Sequence, residues 1–206
     1  MIIKHRGFEP ELDPDVYVAP TAAVVGNVKI GGESRIMYGA VLDSEGSSIE
    51  IGRCTIVCEN AVLRATAAGD RGYPVRVGNH VFISPQSTLL GCRVEDGSYI
   101  ATGATVLQGA VVRSGAVVAV GAFVHAKAVI PESFFVPPNA IAIGDPPRLY
   151  SPDQAEELTA AIKSINFART AFNVDAPWED RPARYKQTTQ TRSREFGAHF
   201  EDLILE

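Results

Sequence analysis

Between Val77 and Val136 an aliphatic residue returns every six positions. From Val94 the series reads Val94, Ile100, Val106, Val112, Val118, Val124, Ile130 and Val136, and small residues recur four places on, at Ser98, Ala104, Ala110, Ala116, Ala122, Ala128 and Ala140. A helix repeats its apolar face at about 3.6 residues and a single strand at about 2, so neither keeps this register. A coil of three short strands does. Each hexapeptide then forms one side of a triangle, with the aliphatic residue aimed at the axis and the small residue at the corner. A disordered tract could match the Gly and Ala content but would lack this aliphatic load. The pattern predicts an all-β solenoid, a parallel β-helix of hexapeptide repeats.

The same period is present at Val18, Val24, Ile30, Ile36 and Leu42, which places the start of the solenoid near residue 17 and leaves 1–16 as an N-terminal lead. It slips at 44–49, where the stretch from Asp43 is too polar for a rung and reads as a loop, and again at 65–73, around Gly69-Asp70-Arg71-Gly72. Pro137, Pro138, Pro146 and Pro147 close the β-helix, because proline cannot donate to a ladder, so the solenoid is expected over 17–148. Ser151, Pro152 and Gln154 form a capping pattern. With Leu158, Ile162, Ile165 and Phe172 on one stripe, a C-terminal α-helix is expected over 151–173, packed along the solenoid. The polar extension 174–206 carries Phe196, Phe200, Leu203 and Ile204 on one helical face. It is either a solvated end or a clip onto a neighbouring subunit.

Composition narrows the class. A chain of 206 residues that is 46% hydrophobic and 21% charged is ordinary for a soluble domain. Its net charge of −5, with no Lys/Arg run, argues against a nucleic-acid surface. Met1–Pro20 has no basic and then apolar leader pattern, and no uncharged apolar stretch reaches spanning length, so the expectation is a cytoplasmic protein without a membrane partner. Cys54, Cys58 and Cys92, an odd number without zinc-finger or redox spacing, suit reduced thiols.

Several segments carry a family resemblance: Val18-Ala-Pro-Thr-Ala22, Val25-Gly-Asn-Val-Lys-Ile-Gly31, Leu89-Leu-Gly-Cys92, Ala101-Thr-Gly-Ala104, Val129-Ile-Pro131 and Ile143-Gly-Asp-Pro-Pro-Arg148. In order and content they resemble the γ-class carbonic anhydrase family over roughly residues 12–170. The resemblance implies a left-handed β-helix, a homotrimer, and sites between subunits. It also implies a zinc ion held by three histidines that generates hydroxide near neutral pH. At the positions matching those histidines this chain has Arg64, Pro85 and Leu90. The family's Arg-Gly-Asp loop falls on Asp43-Ser44-Glu45, and its Gln-Asp pair on Cys58-Glu59. Arginine stays protonated, while proline and leucine side chains have no donor atom. No zinc, no other cofactor and no CO2 hydration are therefore expected. His80 reads as a solvated turn residue and His125 as interface packing, while His5 and His199 form no metal-ligand spacing with another donor.

What replaces the metal is a charged cluster: Arg64 with Glu59 and Asp43 from an adjoining rung or subunit. Arg64 can neutralise those carboxylates as a structural ion pair. Alternatively it grips a small carboxylate or acyl ligand, with Glu59 as acid or base, Cys58 as nucleophile, and Gln86, Tyr73 and His125 as further contacts. Three functions follow. The first is a non-catalytic trimer serving as a scaffold or assembly subunit, with a protein partner bound through the C-terminal extension. The second is a metal-independent enzyme or binder of an acyl, thioester or carboxylate compound at the subunit interface. The third, a hexapeptide acyltransferase, is weakened because both expected loops lack a histidine base.

Overall fold

The computed structural model describes residues 1–66 and 72–205. The chain forms a left-handed parallel β-helix of about 8 turns followed by helices. Its strands stack into three sheets of ten, seven and seven members, in which the strands pair in parallel with those one coil away except for one antiparallel strand at each end of the ten-stranded sheet. In the ten-stranded sheet, Leu42, Leu63 and Leu89 occupy consecutive coils in register and are fully buried. Ile30, Ile51 and Val77 line the second sheet in the same way, and Ile36, Val57 and Ile83 the third. Two-residue rungs suffice because each aliphatic side chain meets its counterparts above and below on the axis, at a ladder spacing of about 4.8 Å. The corners are tight, and Ala22, Ala40, Ala104, Ala116 and Ala128 are buried there without exposed area.

Residues 1–16, read as a lead, are instead the first coil. Ile2–Lys4 pairs in parallel with Ala23–Val25, and Glu11–Leu12 with Val28–Ile30. At the other end, Ile141–Ile143 extends the ten-stranded sheet and Arg148–Tyr150 folds back on it antiparallel. Asp43 leads into a polar turn before Ile49–Ile51. The second expected loop is anchored by the paired Thr66 and Tyr73, and its residues 67–71 lie outside the described residues.

The single helix expected over 151–173 is two: α1 (Ala155–Ile165) and α2 (Phe167–Phe172). Asn166, in the left-handed region at φ 48°, breaks them. The Ser151 N–H donates to Gln154 Oε1 at 2.9 Å, but the helix starts only after Gln154. None of the α1 residues is buried. Docking onto the solenoid falls to α2, whose Phe167 ring lies 5.5 Å from that of His125. Among the described residues no helix is long and apolar enough to cross a membrane.

The extension after residue 173 is ordered against its own chain. Helix α3 (Arg181–Phe196) begins at an Asp180 cap, which accepts from the Ala183 N–H at 3.1 Å. A 3-10 turn (Gly197–Glu201) leads to Leu203–Ile204, which pairs antiparallel with Ile2–Lys4. The physical reason is the open edge of the first strand, whose free backbone groups the returning strand satisfies. Phe196, Phe200, Leu203 and Ile204 therefore do not share a helical face, and Phe200 is 95% exposed.

Candidate functional site

Alternation along a strand turns Leu42, Leu63 and Leu89 to the axis and sends the next residues outward. Asp43, Arg64 and Leu90 thus form an outward column on three consecutive coils of the ten-stranded sheet. Arg64 Nε lies 3.4 Å from Asp43 Oδ2 and 3.5 Å from Glu45 Oε1. Both carboxylates are nearly buried, whereas the Arg64 side chain is 35% exposed. These separations are ion-pair distances only; Nε makes no hydrogen bond. Asp43 Oδ1 accepts from the Glu45 N–H at 2.9 Å, and this bond closes the turn that brings Glu45, at φ 45°, back over the column.

Helix α3 covers the cluster from outside. Arg192 grips both Glu45 oxygens, at 2.5 and 3.1 Å, and also donates to Glu195 at 2.6 Å. Fork-to-fork pairing of this kind is the strong form of an arginine–carboxylate contact. The Phe196 ring has the Arg64 guanidinium 5.4 Å and the Arg192 guanidinium 4.3 Å from its centroid. Two arginines and three carboxylates thus neutralise one another to within a single charge.

The other candidates are dispersed. Glu59 forms no ion pair with Arg64; it sits in a turn where its carbonyl accepts from the Gln86 N–H at 3.0 Å, and the second carboxylate at Arg64 is Glu45. The geometric reason is that Glu59 sits in the corner before Val62–Arg64, at the opposite end of that strand from Arg64. Cys58 is buried, and burial, reinforced by the Glu59 charge, pushes its thiol pKa up. Gln86 is an exposed turn residue at φ 61° and Pro85 is half-buried beside it. Tyr73 packs its ring towards Gly109 and its Cβ against Gly91, where a side chain on Gly91 would collide with it. His125 is buried between Phe123 and Phe167; its Nδ1 accepts from the Ala126 N–H at 2.9 Å, and burial lowers its pKa.

Sequence reasoning missed the partners that matter most. Glu45, Arg192 and Phe196 converge on Arg64, yet 147 positions separate Arg192 from Glu45 and no periodicity links them. It also separated His5 and His199, which the structure stacks with ring centroids 4.2 Å apart. Asp202 bridges the two histidines, and His199 Nε2 lies 3.8 Å from Asp43 Oδ2. The closing of the tail onto the first strand creates both clusters. A separate cavity of about 620 Å³ lies between α1–α2 and α3, where Phe167, Phe172 and Trp178 meet Lys163 and Arg184.

Solved structures with this architecture define the class first. A hexapeptide transferase family protein from Anaplasma phagocytophilum superposes with a TM-score of 0.52 at 21% identity, covering 94% of this chain and 97% of its own. A Bacillus cereus protein described as a putative acetyltransferase gives 0.50 at 20%, covering 98% of each chain. At these identities the likeness concerns the fold: a hexapeptide-repeat β-helix. No family model matches the sequence. Among curated proteins, the probable carbonic anhydrase of Methanocaldococcus jannaschii is 42% identical over 154 residues, 75% of this chain and 88% of that protein. Gamma carbonic anhydrase 2, mitochondrial, of Arabidopsis thaliana is 37% identical over 98 residues, 47% of this chain. The chain belongs to the γ-class carbonic anhydrase family. It spans only about 35% of the length of that Arabidopsis relative.

Proposed function

We propose that this protein is a homotrimeric γ-carbonic-anhydrase-like subunit that has lost the zinc site and CO2 hydration and serves as a non-catalytic scaffold or assembly component. The observation that carries this reading is the Arg64 column itself. Pro85 and Leu90 offer no donor atom, and Arg64 is a permanent cation committed to Asp43 and Glu45. The residues present do not fit a zinc ion there. Arg192 and Phe196 close over the same place from the chain's own C-terminal helix, so the groups that would meet a ligand meet each other instead.

A catalytic use of the column is less well supported. Glu59 is not beside Arg64, and a thiol with a raised pKa, as at Cys58, is a poor nucleophile at neutral pH. The trimer is supported by α1, whose Leu158, Ile162 and Ile165 stripe is only half-buried by its own chain and leaves apolar surface for a neighbouring copy. The exposed Phe200, Leu203 and Ile204 offer a contact for a protein partner through the extension. Three unpaired cysteines suit a reducing, cytoplasmic setting.

The test is stopped-flow CO2 hydration by the full chain with one equivalent of zinc added. The expected rate equals that of buffer with zinc alone. Zinc-dependent hydration by the wild type that disappears in Arg64→Ala would overturn the proposal.

A further inference from the structure

We propose that His5, His199 and Asp202 form a binding site for one divalent transition-metal ion of the zinc class, which staples the C-terminal segment to the first strand. It lies outside the column where the family resemblance puts zinc, and it does not depend on the scaffold reading. His5 Nδ1 stands 2.6 Å from Asp202 Oδ1, and His199 Nδ1 stands 2.9 Å from Asp202 Oδ2. One donor atom from each residue falls within 4.8 Å of the others. Two imidazoles and a carboxylate are a donor set that zinc accepts with bond lengths of about 2.0–2.2 Å. Donors around such an ion stand roughly 3.3–3.5 Å apart and each ligating ring points its lone pair at the ion, so binding draws the three donor atoms together and tilts the two rings, stacked at 4.2 Å and 19°, towards a common point.

The surroundings favour that use. His5 is held rigidly: it is 1% exposed, and its backbone exchanges two 3.0 Å hydrogen bonds with Phe8. Asp202 is positioned by the strand that follows it, paired with Ile2–Lys4. On the far side of His199, the Asp43 carboxylate lies 3.8 Å from Nε2, beyond hydrogen-bond distance but near enough for its charge to favour a cation bound at Nδ1. The His199 and Asp202 side chains are 31% and 20% exposed, so water can reach a fourth position. Without an ion, the His5 Nε2 accepts from Arg6 Nε at 3.2 Å, and the ring proton lies on Nδ1 towards Asp202. Metal entry moves that proton to Nε2, and Arg6, which is exposed, turns away.

The experiment is equilibrium dialysis of the full chain against micromolar ZnCl2, with zinc per chain read by mass spectrometry. About one ion per chain is expected for the wild type and for His80→Ala, a control that removes an unrelated exposed histidine. Occupancy should fall at least about tenfold in His199→Ala and Asp202→Asn. A wild type that takes up no zinc, or an ion retained in both variants, overturns the proposal. Should the variants misfold, CoCl2 added to the wild type decides. Four-coordinate ligand-field bands without a thiolate charge-transfer band support the site; a thiolate band, or the spectrum of the aqueous ion, contradicts it. Because CO2 hydration is not the readout, failure here leaves the proposed function standing, and the converse also holds.

Discussion

Arg64 is a permanent cation at a column position whose neighbours one coil to either side are an acid and a leucine. Its presence was legible in the sequence, as was the prospect of carboxylate partners, because an isolated charge in a packed seam is costly. Of the two carboxylates that answer it, Asp43 was legible and the second was not. Glu59 is nearer in sequence but occupies a corner, whereas Glu45 returns to the column only through a left-handed turn residue that hydropathy does not encode. His125 shows what burial does to a single group. Its neutral ring is enclosed by Phe123 and Phe167 and accepts a backbone N–H, so its folded pKa lies below the ordinary imidazole value. The folded state then binds fewer protons than the unfolded chain. Its contribution to stability is therefore complete above about pH 6.5 and is lost as pH falls from there towards the depressed folded value. Denaturant melts between pH 7 and 5 should show this loss, with a slope of at most about 1.4 kcal/mol per pH unit from this one group. His125→Asn, which keeps an acceptor for the Ala126 N–H, should remove that part of the slope.

At the scale of elements, the β-helix was readable because one residue in six repeats the same environment on every coil, so each rung reports on the others. Residues 1–16 were missed, since a first coil has only later rungs to match. The two-helix break at Asn166 was missed because an αL asparagine leaves the apolar stripe of Leu158, Ile162 and Ile165 uninterrupted before it. Helix α3 has polar residues all round and docks through arginine pairs rather than an apolar face, so periodicity gives no hint of where it lies. The final strand covers an edge. Deleting residues 197–206 should therefore lower the thermal midpoint and promote association through the exposed strand Ile2–Lys4, measured by calorimetry and light scattering. Unchanged melting and scattering would mean the strand is not holding that edge.

For the whole molecule, membership of the γ-class family follows from sequence identity, and the hexapeptide-repeat fold agrees with it, while function turns on residues the repeat does not constrain. Outward side chains do not enter the axial packing, so Asp43, Arg64 and Leu90 can differ widely in chemistry while Leu42, Leu63 and Leu89 beside them keep the core. Assembly should be readable at α1. Leu158→Glu with Ile162→Glu places charge on a stripe that its own chain buries only in part. Sedimentation of that variant should give monomers where the wild type gives trimers, with circular dichroism unchanged. A trimer that survives both substitutions would put the subunit contact elsewhere.

The chain's own C-terminal helix closes over the Asp43–Arg64–Leu90 column, and the contact on which that closure rests is Arg192 on Glu45. A double-mutant cycle of Arg192→Ala and Glu45→Gln, by denaturant unfolding at one fixed protein concentration, measures that contact directly. A coupling energy of about 1.5–3 kcal/mol is predicted for a largely buried bidentate pair. Additive effects, with coupling near zero, would mean that α3 does not rest on the column in solution, and the account of a closed site would fail.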